Sequence, residues 1–96
     1  MFNKRDLEQI SEDYFEIVKI APYYVEFMSK NTQHCWIIYK MGVSDKFPFW
    51  LYHKHKKEHQ CYHLQRKKKS IKSTLNEIKQ HDLYYKTGRK NIFDNI

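Results

Sequence analysis

The stretch Phe47–Lys69, FPFWLYHKHKKEHQCYHLQRKKK, decides how this chain folds. Its first half alternates. Phe49 and Leu51 point one way and Trp50 and Tyr52 the other, the two-residue period of a β-strand over Phe49–His55. Cys61–Gln65 (CYHLQ) is a second short strand. A hairpin centred on Glu58 joins the two and sets His53 opposite His63 and His55 opposite Cys61. Arg66–Lys69 (RKKK) then breaks the alternation and ends the strand.

Towards the N-terminus the same period recurs. His34–Lys40 (HCWIIYK) opposes Cys35, Ile37 and Tyr39 to Trp36 and Ile38, and Tyr23–Ser29 opposes Tyr23, Val25 and Phe27 to Tyr24, Glu26 and Met28. Tyr14–Ile20 is rich in β-branched and aromatic residues, which favour strands. Ala21-Pro22 ends that run, because proline has no N–H for a ladder. Lys30-Asn31-Thr32 reads as a tight turn with Asn31 left-handed, and Met41–Lys46 reads as a loop. Short connections between successive strands specify an antiparallel meander of four to five strands.

Helices bracket the sheet. Asn3 suits an N-cap, with Asp6 at N3 and Phe2 and Leu7 placed for a hydrophobic staple. Towards the other end Ser70 suits an N-cap, and Ile71, Leu75 and Ile78 follow at i, i+4 and i+7, predicting a helix over about residues 71–83. Thr74 and Glu77 offer an alternative capping box. The expectation is one small α+β domain: a short N-terminal helix in 1–12, an antiparallel sheet in 14–65, a main C-terminal helix in 70–83 packed on one face, and a tail over 84–96 with a turn at Gly88.

At 96 residues, such a domain buries an adequate but not generous core. No apolar run is long enough to span a bilayer, and the first residues lack the apolar segment of a secretory signal, so the expected setting is cytoplasmic, in a bacterium or an infected cell. Cys35 and Cys61 are then reduced thiols. The bias toward Lys, Ile, Asn, Tyr and Phe suits an A/T-rich genome, such as that of low-GC bacteria and their phages.

Charge is divided unevenly. Residues 1–52 carry six Lys/Arg and seven Asp/Glu, whereas residues 53–96 carry twelve and four, which together give the net charge of +7. A neutral half joined to a basic half faces an acidic partner with the second, and nucleic acid is the commonest such partner. One helix covers one sheet face, yet several strands carry large side chains on both. An uncovered aromatic face follows, suited to stacking bases, to a protein partner or to a second copy of the chain. The residues expected to bind are Lys54, Lys56, Lys57, Arg66, Lys67, Lys68, Lys69 and Lys72, with Trp36, Trp50, Tyr52 and Tyr62 as the aromatics. They serve nucleic acid or a nucleic-acid-handling protein, without a membrane.

Three other readings stand beside this one. A protein-directed inhibitor, carried by a phage or mobile element and docking on a host defence enzyme, uses the same surface. In a zinc-stabilised version, His53, His55, Cys61 and His63 share one strand face as metal ligands, with His59 in the loop as a fifth candidate. Without a metal these histidines gain charge as pH falls and strengthen phosphate binding. A metal-independent ribonuclease using His53, His55 or His63 as acid and base is chemically feasible. The acidic residues are scattered, with no two-metal cluster, and there is no glycine-rich phosphate loop. The expectation is therefore binding, not catalysis.

Overall fold

A computed structural model describes residues 2–42, 46–56, 58 and 61–87. Helix α1 (Lys4–Glu8) leads into five strands, β1 (Phe15–Ile20), β2 (Tyr24–Ser29), β3 (Cys35–Lys40), β4 (Phe49–Lys54) and β5 (His63–Lys68), followed by α2 (Ile71–Thr87). The strands form one antiparallel sheet in sequence order, β1-β2-β3-β4-β5. This is the α+β meander with a C-terminal helix that the periodicity specifies.

Both helix starts are capped as read from sequence. Asn3 Oδ1 accepts from the Asp6 N–H at 2.8 Å, and Asp6 Oδ2 accepts from the Asn3 N–H at 3.2 Å. Asp6 also pairs with Lys40 at 2.6 Å, which ties α1 to β3. At α2, Ser70 Oγ accepts from the Ser73 N–H at 3.1 Å. A helix N-terminus leaves its first N–H groups without intrahelical partners, and these side chains satisfy one each.

One sheet face carries Phe15, Val25, Phe27, Trp36, Ile38, Phe49 and Leu51 under the α2 stripe Ile71, Leu75 and Ile78, with Phe2 and Ile10 closing the edge. Trp36 is fully buried, and its Nε1 donates to the buried Ser29 Oγ at 2.9 Å. Asp82, also fully buried, accepts from Tyr14 Oη at 2.8 Å and from Thr32 Oγ1 at 2.9 Å. These bonds fix the C-terminal half of α2 to β1 and to the β2–β3 turn. Burial, followed by the bond to Asp82, pushes the Tyr14 phenol up to about 12, so it stays a donor.

Several boundaries differ from the sequence reading. β5 runs on to Lys68, through the run expected to end it, because it is an edge strand whose backbone pairs with β4 while its lysines stay solvated. The pairing shifts by one between Leu51 and Tyr52, which leaves Gln65 as the extra residue of a bulge. α2 continues to Thr87 instead of yielding to a tail at Tyr84, since Asp82 and Tyr85 extend its packed stripe with polar anchors. Helix α1 fills only 4–8 of the expected 1–12. In the β2–β3 turn the left-handed residue is Gln33 (φ 64), not Asn31. The expected turn at Gly88 and the rest of the tail lie outside the described residues, as do Lys57 and His59. Among the described residues no helix is long and apolar enough to cross a membrane.

Candidate functional site

The sheet has two faces with different chemistry. Opposite α2, the strand periodicity presents Tyr24, Glu26 and Met28 from β2, Ile37 and Tyr39 from β3, and Trp50, Tyr52 and Lys54 from β4. All are partly exposed, and among the described residues no helix covers them. Tyr62 lies across this face, its hydroxyl donating to Glu26 Oε2 at 3.0 Å. Burial, followed by that bond, raises the Tyr62 phenol well above its ordinary range, so it remains a donor. Ile37, Tyr39, Met41, Tyr52 and Tyr62 line a shallow hollow of ≈ 310 Å³.

Lysines stand over the rings. Lys67 Nζ is 3.9 Å from the Trp50 ring centroid, Lys54 Nζ is 4.7 Å from Tyr62, and Lys69 Nζ is 5.7 Å from Phe47. Acidic Glu16 and Glu26 lie on the β1–β2 side. The open face is therefore cationic along β4–β5 and mildly acidic towards β1–β2. At the corner where β5 hands over to α2, Phe47, Arg66, Lys67, Lys68, Lys69 and Ser73 surround a hollow of ≈ 440 Å³. The positive end of the α2 dipole adds to the potential there.

The expected binding residues divide between faces. Trp50, Tyr52, Tyr62, Lys54 and Lys67 share the open face, with Lys69 at its corner. Trp36 does not join them: it is in the core beneath α2, on the other parity of β3. Arg66 and Lys68 point to the helix side and share Glu77 Oε1 at 3.7 and 3.6 Å. Lys72 is exposed on α2, and Lys56 borders the cleft described next.

The expected metal set is likewise redistributed. His53 does pair with His63, as the hairpin predicts, but their ring centroids are 6.4 Å apart and His63 is exposed. Cys61 is exposed as well. His53 instead faces His34 and His81. The His53 Nε2 and His34 Nδ1 atoms are 3.3 Å apart, and the His53 and His81 ring centroids 4.5 Å apart. His55 stacks on His34 at 4.9 Å, and Tyr85 Oη is 3.1 Å from His55 Nε2. Met28, Thr32, Gln33, Lys56 and Glu58 complete a cleft of ≈ 560 Å³ over this cluster.

Two signals in the sequence lead to His34 and His81, neither of which is in the expected set. His34 has the parity of Trp36, and His53 that of Leu51, so both belong to the covered layer. His81 follows Ile78 by three residues on the helix stripe. Face assignment and helix phase together bring the rings into one layer.

Burial holds His53 down to about 3 and His34 down to about 4, with the charges of the neighbouring rings adding to the effect. These histidines are thus neutral throughout the pH 6–8 range and add no phosphate affinity. The linkage runs one way. The unfolded chain takes up protons below about pH 6.5, whereas the folded chain does not until pH 3–4, so stability is full above pH 7 and falls as pH drops through 6.5. For His53 alone the loss is on the order of 2 kcal/mol at pH 5, above the range where unfolded carboxylates titrate. Urea midpoints measured in EDTA at pH 7.5, 6 and 5 should fall in that order; a constant midpoint would show that the rings are not sealed.

Comparison of this chain with protein-family models, with characterised proteins and with solved structures gives no match.

Proposed function

We propose that the uncovered sheet face binds single-stranded nucleic acid without catalysing a reaction on it, the bases stacking on Trp50 and Tyr52 while Lys54, Lys67 and Lys69 meet the phosphates. The observation that carries this reading is the row along β4, where Trp50, Tyr52 and Lys54 project at every second residue with Lys67 seated over the indole. Residues i and i+2 of a strand are about 6.6 Å apart, a spacing that suits successive nucleotides of an extended strand. Flat rings on a sheet need unstacked bases, which a duplex does not offer.

Magnitudes favour exchange over blockage. An exposed lysine over an aromatic ring is held by about 0.5–1 kcal/mol. A base stacked on the same ring contributes about 1–3 kcal/mol. The base therefore displaces the ammonium, which is then free to follow the phosphate. The same face would serve as a protein-docking surface for the inhibitor reading, or as a contact between two copies, but the cationic side along β4–β5 favours a polyanion.

The test is a salt series on labelled single-stranded DNA and RNA oligonucleotides. With about three phosphates engaged, log K should fall against log[salt] with a slope of about −2. Absence of binding at low salt, or binding indifferent to salt, would contradict this reading and favour a protein partner.

A further inference from the structure

We infer that His34, His53 and His81 form a three-ligand binding site for a borderline divalent transition metal, zinc first. The site does not depend on nucleic-acid binding, because it lies on the opposite face of the sheet.

Three separate elements supply the rings: the β2–β3 turn, β4 and α2. His53 and His34 are only 2% and 7% exposed. The three potential ligand nitrogens lie within 4.8 Å of one another. One separation, 3.3 Å between His53 Nε2 and His34 Nδ1, is already the edge of a zinc tetrahedron: Zn–N bonds of about 2.0–2.1 Å give an N···N edge of roughly 3.3 Å. Drawing the farthest nitrogen inward by about 1.5 Å closes the set.

The donors also select the metal. Imidazole suits zinc, copper, nickel and iron, whereas calcium and magnesium need oxygen ligands. At 3.3 Å one of His53 Nε2 and His34 Nδ1 donates to the other, and a metal would turn both lone pairs inward by moving that proton to the ring's other nitrogen. Asp82, fully buried and next to His81 in α2, places a carboxylate near the cluster. It is held by Tyr14 and Thr32, and Thr32 Oγ1 in turn accepts from the backbone N–H of His34 at 3.3 Å. These bonds tie the backbone at His34 to α2 at Asp82, next to His81. Three protein ligands leave a tetrahedral ion one position short, and of the three only His34 lines the cleft where His55 stands beside Tyr85.

The alternative is a hydrogen-bonded histidine layer with no metal, and the experiment separates the two. Tag-free protein, stripped with EDTA and dialysed, is titrated with ZnCl2 by calorimetry and by thermal denaturation. The expected result is one saturable site per chain and a Tm raised by about 10 °C at a hundredfold excess over Kd. Co2+ should give the visible bands of a tetrahedral nitrogen site. His81→Gln, a partly exposed helix position, should weaken zinc about 100-fold or more while the chain stays folded. His34→Gln should do the same, whereas His63→Gln and Cys61→Ser should leave affinity unchanged. No saturable binding, full affinity in His81→Gln, or loss in the His63 and Cys61 variants would overturn the site.

Discussion

Trp36→Ala should destabilise this domain by about 3–5 kcal/mol, the range for truncating a fully buried large aromatic. Trp36 is 0% exposed, its ring stacks on His53 with centroids 4.2 Å apart, and its Nε1 donates to Ser29. Truncation opens a cavity between sheet and helix and leaves the buried Ser29 hydroxyl without its donor. Small domains hold only about 5–15 kcal/mol in all. At roughly 4–8 °C per kcal/mol, Tm should drop by at least about 12 °C. Trp50→Ala, the same substitution on the open face, should cost less than half as much, since that indole is only partly buried and gives up a single hydrogen bond, to Phe47 O. Urea midpoints for the pair would measure the contrast, and equal costs would mean that the two faces had been assigned wrongly.

The second large effect reverses the roles of the two tryptophans. Trp50→Ala combined with Tyr52→Ala should weaken single-strand binding at least about 30-fold, with stacking worth about 1–3 kcal/mol per base. The two rings are neighbours on one strand, so their losses need not add. Lys67→Gln should act differently, lowering affinity uniformly across sequences and flattening the salt slope by about 0.7. Unchanged affinity in the double aromatic variant, measured by anisotropy at low salt, would remove the stacking platform from the account.

The sheet was legible because its strands obey a two-residue period with few exceptions, and Asn3 and Ser70 cap where their hydroxyl or amide chemistry suits. Which face the helix would cover was not legible from period alone. Hydroxyl content holds the answer. Val25, Phe27, Ile38, Leu51 and Phe49 on the covered parity carry no side-chain polar atom, whereas Tyr24, Tyr39, Tyr52 and Trp50 on the other parity each bring a group that burial would leave unsatisfied. Trp36, Ser29, His34 and His53 break the pattern in partnered pairs: His34 meets His53, and Ser29, across the β2–β3 hairpin, takes the Trp36 N–H. Grouping Trp36 with the surface rings overlooked that partner.

The histidine cluster was half legible. The hairpin reading placed His53 correctly against His63, but local spacing along one ribbon cannot show what a helix brings from above. His81 and Asp82 look like polar helix surface until α2 is laid along the sheet, and then His81 falls over His34 and His53 while Asp82 meets Tyr14 and Thr32. The lysine run was misjudged for the opposite reason. RKK lacks the apolar alternation of a strand, yet an edge strand needs only backbone pairing, and lysines protect such an edge from further pairing.

The two tryptophans make the central claim directly measurable, because one lies on each face of the sheet. In ¹⁵N-labelled protein the indole N–H signals of Trp36 and Trp50 report the covered and open faces separately. Titration with a short single-stranded oligonucleotide should shift the Trp50 indole signal, assigned through Trp50→Phe, and leave that of Trp36 in place. A shift confined to Trp36, or no shift of either at saturating oligonucleotide, would contradict a nucleic-acid platform on the open face.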